Sequence, residues 1–374
     1  MEGLRGLAVL FVFLVHYHAL FSGGIAEGSL TYHVSRCLSS IGHTGVDLFF
    51  VLSGYLIYGA VVSKPTNYPK FMKRRIQRIY PTFLCVFGIY LLISLVMPAE
   101  NKIPKGLSQG AIYLAQNLFL LPGMFDIVPF ITVAWSLSYE LFFYLFIPVV
   151  VAVLSMRRWP GFRRAIFFIT GTAVLTVYCW ITVFPHLRLI MFVAGILLYE
   201  TIQSLKLANR LSRQTELFLL FAIVGVFVIN HFLSNLSLLH IYEEGGTGKY
   251  WRIVRQLLLF ITFFTLTWAC FTSRGLFKTL FSFTPLRWLG NMSYSYYLVH
   301  GLALKGVLIV LRKAAFFGNS TVMFWMLLPI AMVVTLIIST LLFVLVEKRF
   351  SLVNPSREKT LSPAASVPVH SSPV

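Results

Sequence analysis

The chain has 374 residues, of which 58% are hydrophobic, 16% aromatic and only 11% charged. A soluble domain of this length needs far more surface charge, so the composition excludes that class, and the long apolar runs predict a polytopic membrane protein. The formal net charge of +19 would suggest a nucleic-acid partner in a soluble chain. Here the basic residues lie in short loops between apolar runs, as membrane topology requires, and we expect no nucleic-acid binding.

Ten apolar segments are long enough to be predicted as membrane-spanning helices. In chain order they cover residues 6–23, 43–62, 79–98, 134–155, 165–184, 186–203, 215–233, 251–273, 293–311 and 321–346. Most of the 31 lysines and arginines fall in the loops that share a side with the N-terminus. Cytoplasmic loops carry an excess of basic residues, so both termini are predicted to be cytoplasmic. We therefore expect an all-α transmembrane domain over residues 1–350.

Two further segments do not fit a simple crossing. The sequence LSQGAIYLAQNLFLLPGMF (107–125) is apolar but short, and a crossing here would invert the polarity of every later loop. We predict a re-entrant or interfacial piece on the outer side, between spans three and four. Residues 351–374 are rich in Ser and Pro with few apolar anchors, which predicts a disordered cytoplasmic tail. The four cysteines lack metal-ligand spacing, so neither a disulfide framework nor a metal site is expected.

The first span carries ionisable residues at membrane depth, where charge is costly and each such residue is a candidate for function. Arg5 and His16 are eleven residues apart, about 20° past three full turns, so they share one helix face with a rise of about 16 Å between them. His18 lies on nearly the opposite face and is predicted to be a packing residue or to lie at the outer mouth. A polar contact between two helices would explain a single histidine without catalysis. The face shared with Arg5 favours a functional His16.

The second span begins IGHTGVDLFFVLSGYLI and contains one acid, Asp47. A buried carboxylate needs a partner, and an imidazole, His16 or His43, is one candidate. The other interpretation is that Asp47 stabilises the N-terminus of its own helix. Ser53 and Gly54 interrupt the middle of this apolar run, where a ligand or another helix could approach.

The segment KFMKRRIQRIYP precedes the third span and contains Arg75 and Arg78, which are three residues apart. This spacing presents two guanidinium groups on one helix face and suits a phosphate-bearing cytosolic ligand. Anionic lipid headgroups are the alternative ligand. Pro81 is predicted to lie in the first turn of the span that follows.

Two later segments add polar groups to apolar surroundings. Span four opens VAWSLSYELFFYLFIP, where Glu140 follows Trp135, and a buried acid must be either protonated or matched with a buried Arg or His. The segment RWLGNMSYSYYLVHG contributes Tyr294 and His300. Helix capping explains part of this density of polar groups without any catalysis.

Several motifs are absent from the sequence. It has no glycine-rich phosphate loop ending in Lys-Ser/Thr, no nucleophile elbow and no pair of histidines spaced for a zinc site on one helix. These absences argue against an ATP-driven pump, an intramembrane serine hydrolase and a zinc protease.

Taken together, five motifs resemble the acyltransferase-3 family, and within it the bacterial exopolysaccharide acyltransferases. In order over residues 2–350 they read EGLRGLAVLFVFLVH, GHTGVDLFFVLSGYLI, RRIQRIYP, AWSLSYELFFYLFIP and WLGNMSYSYYLVH. The resemblance implies a ten-helix enzyme of the bacterial inner membrane. It would transfer an acyl group, usually acetyl from cytosolic acetyl-CoA, to a hydroxyl of an extracytoplasmic polysaccharide or a lipid-linked sugar.

The resemblance also implies roles for individual residues. His16 would be the catalytic residue with Arg5 as its companion, and Arg75 and Arg78 would hold the phosphates of the coenzyme. Asp47 is grouped with the catalytic pair. Residues expected to line the substrate site are His43, Ser53, Gly54, Trp135, Glu140, Tyr294 and His300.

Two questions stay open at the level of the sequence. His16 could take the proton of the acceptor hydroxyl, or it could carry the acyl group itself. The alternative function is a transporter or flippase for a glycan or an acylated substrate, which would use the same intramembrane charges as a proton relay or substrate site.

Overall fold

The computed structural model describes residues 1–182, 186–204, 211–239, 247–313 and 321–352, and this part of the chain is all-α. A nine-residue π-helix, Phe343–Ser351, continues the last α-helix. The predicted tail lies, from residue 353 onward, outside the described residues. The α-helices in the described part are, in chain order, α1 (Glu2–Phe21), α2 (Leu30–Gly42), α3 (Gly45–Val62), α4 (Tyr68–Val96), α5 (Leu107–Leu118), α6 (Trp135–Val153), α7 (Gly161–Ile181), α8 (Ile190–Ser204), α9 (Arg213–Leu239), α10 (Thr247–Thr272), α11 (Leu276–Phe281), α12 (Thr284–Asn291), α13 (Ser293–Lys313) and α14 (Thr321–Leu342).

Within the described ranges, ten helical stretches are long and apolar enough to cross a membrane, which confirms the predicted number. The short helices α2, α11 and α12 were not predicted, because their sequences mix polar and apolar residues over too few turns to stand out. We call the side of the bundle on which α1 begins the N-terminal side. Successive spans alternate in direction, so α4 and α13 also begin there.

The third span begins earlier than predicted. Helix α4 starts at Tyr68 because the side chain of Asn67 accepts a hydrogen bond from the backbone N–H of Lys70 at 3.0 Å and because Pro69 fits the first turn. The basic run is therefore helical, and Pro81 lies inside the helix. The prediction that Pro81 occupies the first turn was wrong, since the cap formed at Asn67 is the true start signal.

The segment at 107–125 forms the twelve-residue helix α5 and then a turn. It is not among the ten candidate spans of the described chain. The buried side chain of Asn117 accepts a hydrogen bond from the backbone N–H of Phe130 at 2.7 Å and donates one to the carbonyl of Tyr113 at 3.0 Å. These bonds tie the following loop to the helix. A re-entrant position for this segment stays a prediction.

Helices α3 and α8 cross with their backbones in contact. A methyl group at Gly54 would overlap the carbonyl oxygen of Phe192, and one at Gly195 would overlap the carbonyl oxygen of Val51. Small residues at such a crossing are typical of helix packing in membranes. Gly54 thus takes the packing alternative left open by the sequence, and it is not among the predicted residues that line the cavity described below.

Helix α1 also packs closely against the backbones of its neighbours. A methyl group at Gly45 would lie 2.6 Å from the carbonyl oxygen of Ala8, and one at Gly290 would overlap the carbonyl oxygen of Glu2. Helix α1 is thus in backbone contact with α3 near its middle and with α12 at its start. The residues that α1 presents are therefore held in fixed positions.

Candidate active site

A cavity of about 150 Å³ lies between α1, α3, α4, α6 and α13. Along α3 its lining runs from Val46 to Ile57, so the cavity follows the helix for about 16 Å. Much of this wall is apolar, including Phe49, Phe50 and Leu137. Polar side chains enter it from the other helices, and these give the cavity its chemical character.

Three arginines, Arg5, Arg75 and Arg78, face the cavity from the starts of α1 and α4. The predicted common face of Arg75 and Arg78 is confirmed by their shared position in the lining. Among the described residues, neither Arg5 nor Arg75 has an acid within ion-pair distance. The Nε atom of Arg75 is buried without a hydrogen-bond partner there, and its guanidinium lies 5.9 Å from the centre of the Tyr144 ring. This end of the cavity is suited to an anion.

The third arginine does have a carboxylate partner. The Nη1 atom of Arg78 lies 2.7 Å from Oε1 of Glu347, which is fully buried in the π-helix. Tyr294 covers the same guanidinium, with its ring centre 5.7 Å away, and its hydroxyl donates to the carbonyl of Ile79 at 2.7 Å. Sequence reasoning missed Glu347. The signal was an acid in FVLVEKRF, at the end of the last apolar run.

Among the described residues, the cavity has one acid in its lining, Glu140. Its Oε1 atom accepts a hydrogen bond from Ser53 Oγ at 2.7 Å, and its Oε2 atom accepts one from the Tyr144 hydroxyl at 3.1 Å. The hydrogen-bond partners of Glu140 are thus two hydroxyl groups, and neither an Arg nor a His is among them in the described part. Ser53 lines the cavity as predicted, and Tyr144 is a lining residue that the sequence analysis did not identify.

His16 and His300 lie against each other beyond one end of this cavity. Their ring centres are 4.9 Å apart at an interplanar angle of 60°. His300 is fully buried, and its Nδ1 atom lies 3.0 Å from the Tyr296 carbonyl oxygen. A carbonyl oxygen only accepts, so a neutral His300 carries its proton on Nδ1, and its Nε2 atom is a buried acceptor without a partner in the described part.

Tyr297 connects the imidazole pair with the cavity. It belongs to the cavity lining, and its ring centre lies 6.0 Å from that of His300. Neither His16 nor His300 itself faces the cavity. The Tyr297 ring therefore lies beside both the arginine-lined cavity and the imidazole pair.

The predicted imidazole partner of Asp47 is wrong. Asp47 is fully buried, and Oδ1 lies 3.6 Å from Nε of Arg188 and accepts a hydrogen bond from Gln256 at 3.3 Å. The close crossing of α3 and α8 brings Arg188 to the carboxylate, and a guanidinium is a stronger counter-charge than a neutral imidazole. Asp47 is also the third residue of α3, where the alternative prediction placed it, at a helix N-terminus that favours an acid.

Arg188 organises a second cluster, away from the cavity. Its Nη2 atom donates to the backbone carbonyl of His43 at 3.4 Å, and its guanidinium lies 5.3 Å from the centre of the Trp135 ring. Asp47, His43 and Trp135 thus meet around Arg188, and none of them lines the cavity. The structure thus distributes the predicted site residues among the cavity, this Arg188 cluster, the His16–His300 pair and, for Gly54, the crossing of α3 and α8.

The chain was compared with known proteins. The acyltransferase domain of the acyltransferase-3 family matches residues 1–344. The chain belongs to this family. It is 28% identical over 327 residues to O-acetyltransferase OatA of Staphylococcus aureus strain NCTC 8325 / PS 47, a match that covers 80% of this chain and 49% of the relative. OatA of strain MRSA252 gives the same identity and coverage.

The chain spans about half the length of the curated relatives that it matches. No solved structure matches it. The acyltransferase-3 domain thus accounts for the described helices, from Arg5 in α1 to the end of α14.

Proposed function

We propose that this protein is an O-acyltransferase that transfers an acetyl group from cytosolic acetyl-CoA to a hydroxyl of an extracytoplasmic or lipid-linked polysaccharide. The observation that carries the proposal is the cavity within the bundle, with three arginines at one end and the His16–His300 pair beyond Tyr297. The names of the curated relatives, which are O-acetyltransferases, support the same reaction type.

The donor end of the cavity fits a coenzyme phosphate. Arg5 and Arg75 lack an ion-pair partner in the described part, and Arg75 has a buried Nε atom without an acceptor. A buried donor left unpaired is costly, so a phosphate oxygen at this position would restore a charge-assisted hydrogen bond. The apolar wall of α3 would then accommodate the uncharged arm that links the phosphates to the thioester.

The imidazole pair supplies the base that acyl transfer requires. The reaction removes the proton of the acceptor hydroxyl, forms the new ester bond and releases the thiolate, which recovers a proton. His16 is the imidazole on the same face of α1 as Arg5, and His300 offers an Nε2 lone pair beside it. Both routes considered above, proton removal by His16 and an acyl group carried on it, require this imidazole.

We infer that the N-terminal side faces the cytoplasm of a bacterial inner membrane. The basic run of α4 is on that side, as expected from the excess of Lys and Arg in cytoplasmic segments. The arginine end of the cavity would then face the cytosolic donor, and the Arg188 cluster would lie toward the extracytoplasmic acceptor.

The proposal is tested by transfer of labelled acetyl from acetyl-CoA in washed membranes. We expect His16→Ala to lose about 100-fold or more of the transfer rate, the usual contribution of a positioned acid–base group. His18→Ala is the matched control, since His18 is on the opposite face of the same helix and outside the cavity lining. Full transfer by His16→Ala would contradict the catalytic role. If the protein were a transporter, even the wild type would transfer no labelled acetyl group from acetyl-CoA.

A further inference from the structure

Glu347 is a fully buried carboxylate that the reaction scheme above does not use. Its Oε1 atom pairs with Arg78, and its Oε2 atom accepts hydrogen bonds from the backbone N–H of Ser295 at 3.0 Å and from Ser295 Oγ at 2.5 Å. Arg78 lines the cavity, and Ser295 lies beside Tyr294, which also lines it. Glu347 thus links the π-helix, α4 and α13 next to the arginine end of the cavity.

The carboxylate is held independently of its arginine partner. Ser295 is the third residue of α13, so its N–H is one of the helix-terminal donors that have no partner within the helix. The positive end of the helix dipole favours an acid at the same place. Because Ser295 of α13 holds Oε2 of Glu347, the position of Oε1 is also fixed. Oε1 can therefore hold the long side chain of Arg78 in one place.

Arg78 retains donors after it binds Glu347. Its side chain is 30% exposed, and it approaches the carboxylate through Nη1 at 2.7 Å. A guanidinium has five N–H donors in a rigid fork, so binding one edge leaves others available. The Tyr294 ring beside it, itself held by Ile79, narrows the orientations that remain.

We propose that Glu347 is a positioning residue that holds Arg78 with its remaining N–H groups directed at an anion in the cavity, beside Arg5 and Arg75. The inference rests on the proposed function, in which this anion is the phosphate portion of the acyl donor. The π-helical winding of Phe343–Ser351 supports this inference. π-Helical turns are rare in proteins, and those that occur often lie at functional sites.

A second contact of the π-helix with α4 provides a matched control. Ser351 Oγ lies 3.1 Å from Thr82 Oγ1, and both side chains are buried outside the cavity lining. Ser351→Ala therefore weakens the packing of the same two elements without touching Arg78. Glu347→Gln keeps the shape of the side chain and removes its charge, and Glu347→Asp keeps the charge.

The first experiment measures the position of Arg78 directly. Native membranes that contain the wild type or one of the variants are treated with phenylglyoxal, and modification of Arg78 is followed by peptide mass spectrometry. We expect modification several-fold faster in Glu347→Gln than in the wild type, and a rate close to the wild type in Ser351→Ala and Glu347→Asp. An unchanged rate in Glu347→Gln overturns the inference.

The second experiment measures the effect on the donor. Glu347→Gln is expected to raise the apparent KM for acetyl-CoA about tenfold with kcat within about twofold of the wild type, because binding and not chemistry is altered. Adding Glu347→Gln to Arg78→Ala should have no further effect on KM, since Glu347 acts through Arg78. The inference is overturned if Glu347→Gln lowers KM or reduces kcat alone. It is also overturned if the effects of Glu347→Gln and Arg78→Ala on KM add in the double variant. If the wild type shows no acetyl-CoA-dependent transfer, the proposed function fails, while the labelling experiment still decides whether Glu347 holds Arg78.

Discussion

The ring of Tyr297 lies 6.0 Å from that of His300, and its hydroxyl is fixed 2.7 Å from Ser136 Oγ and 2.9 Å from the carbonyl of Val133. These two hydrogen bonds hold an aromatic side chain between the cavity and the imidazole pair. The Tyr297 ring is therefore held at a fixed position beside both the cavity and the imidazole pair.

Substitution of Tyr297 separates the role of its ring from that of its hydroxyl. Tyr297→Phe keeps the ring and should retain most acetyl transfer, at a stability cost of about 1–3 kcal/mol for the lost hydrogen bonds. Tyr297→Ala removes a buried ring, and the void left beside His300 would let the imidazole shift, so transfer should fall much further. Thermal unfolding in detergent and the labelled-acetyl assay check these outcomes. Tyr296→Phe, which loses a contact with Thr335 instead, is the matched control.

The unpartnered Nε2 atom of His300 makes a second prediction. In His300→Gln the side-chain amide reaches the position of Nε2, whereas in His300→Asn it reaches only that of Nδ1. If the Nε2 lone pair assists His16, transfer by His300→Gln should exceed that by His300→Asn by about tenfold, a modest part of a typical acid–base contribution. Equal activity of the two variants, measured with equal amounts of folded protein, would contradict a role for Nε2.

The hydrogen bond between Ser53 and Glu140 is expected to stabilise the fold. Leaving one oxygen of Glu140 without its partner inside the bundle costs about 1–3 kcal/mol, so Ser53→Ala should lower the midpoint of thermal unfolding measurably. Ser63→Ala, at the residue that follows the end of α3, is the control, because Ser63 Oγ donates to the neutral backbone carbonyl of Gly59. A larger effect of Ser63→Ala than of Ser53→Ala would show that Glu140 does not depend on Ser53.

The crossing of α3 and α8 is predicted to tolerate no added methyl group. Gly54→Ala forces the carbonyl of Phe192 to move and should destabilise the protein by about 1–3 kcal/mol, as overpacking does. Gly171→Ala in α7 is the matched control, since no atom lies near its added methyl group and alanine favours helix. The unfolding midpoints in detergent should differ in opposite directions from the wild type.

The pair of Asp47 and Arg188 should show strong coupling. Arg188→Gln leaves a buried carboxylate without its cation, a change that costs about 3–5 kcal/mol. Combining it with Asp47→Asn should recover most of the loss in unfolding midpoint. Arg157→Gln, which removes donors to the carbonyl of Val61, is the control for loss of a guanidinium without a charge partner. A double variant as unstable as the sum of the two single variants would rule out the pairing.

The sequence predicted what local spacing determines. The ten spans follow from the length of apolar runs, and the common face of Arg75 and Arg78 follows from a separation of three residues on one helix. Partners distant in the chain could not be predicted in this way. Glu347 meets Arg78 only because the end of the last span packs against α4. No periodicity in the sequence encodes that contact.

The imidazole partner predicted for Asp47 failed for the same reason. Both α1 and α8 pack against α3, so packing alone does not decide the partner, and Arg188, just before α8, is the cation that the fold brings to the carboxylate. Gly54 could have signalled the answer, because a glycine within an apolar run marks a close approach of another backbone as readily as a ligand site.

The close packing of α1 has a consequence for which acyl donor the enzyme can use. Backbone contacts with α3 and α12 hold α1 in place. The separation of about 16 Å along the helix axis between Arg5 and His16 is therefore fixed. In the proposed reaction the donor itself must supply this reach. A small anionic donor such as acetyl phosphate could occupy the arginines and still leave its acetyl group far short of the imidazoles, so the enzyme would select for the length of the arm between anion and acyl group.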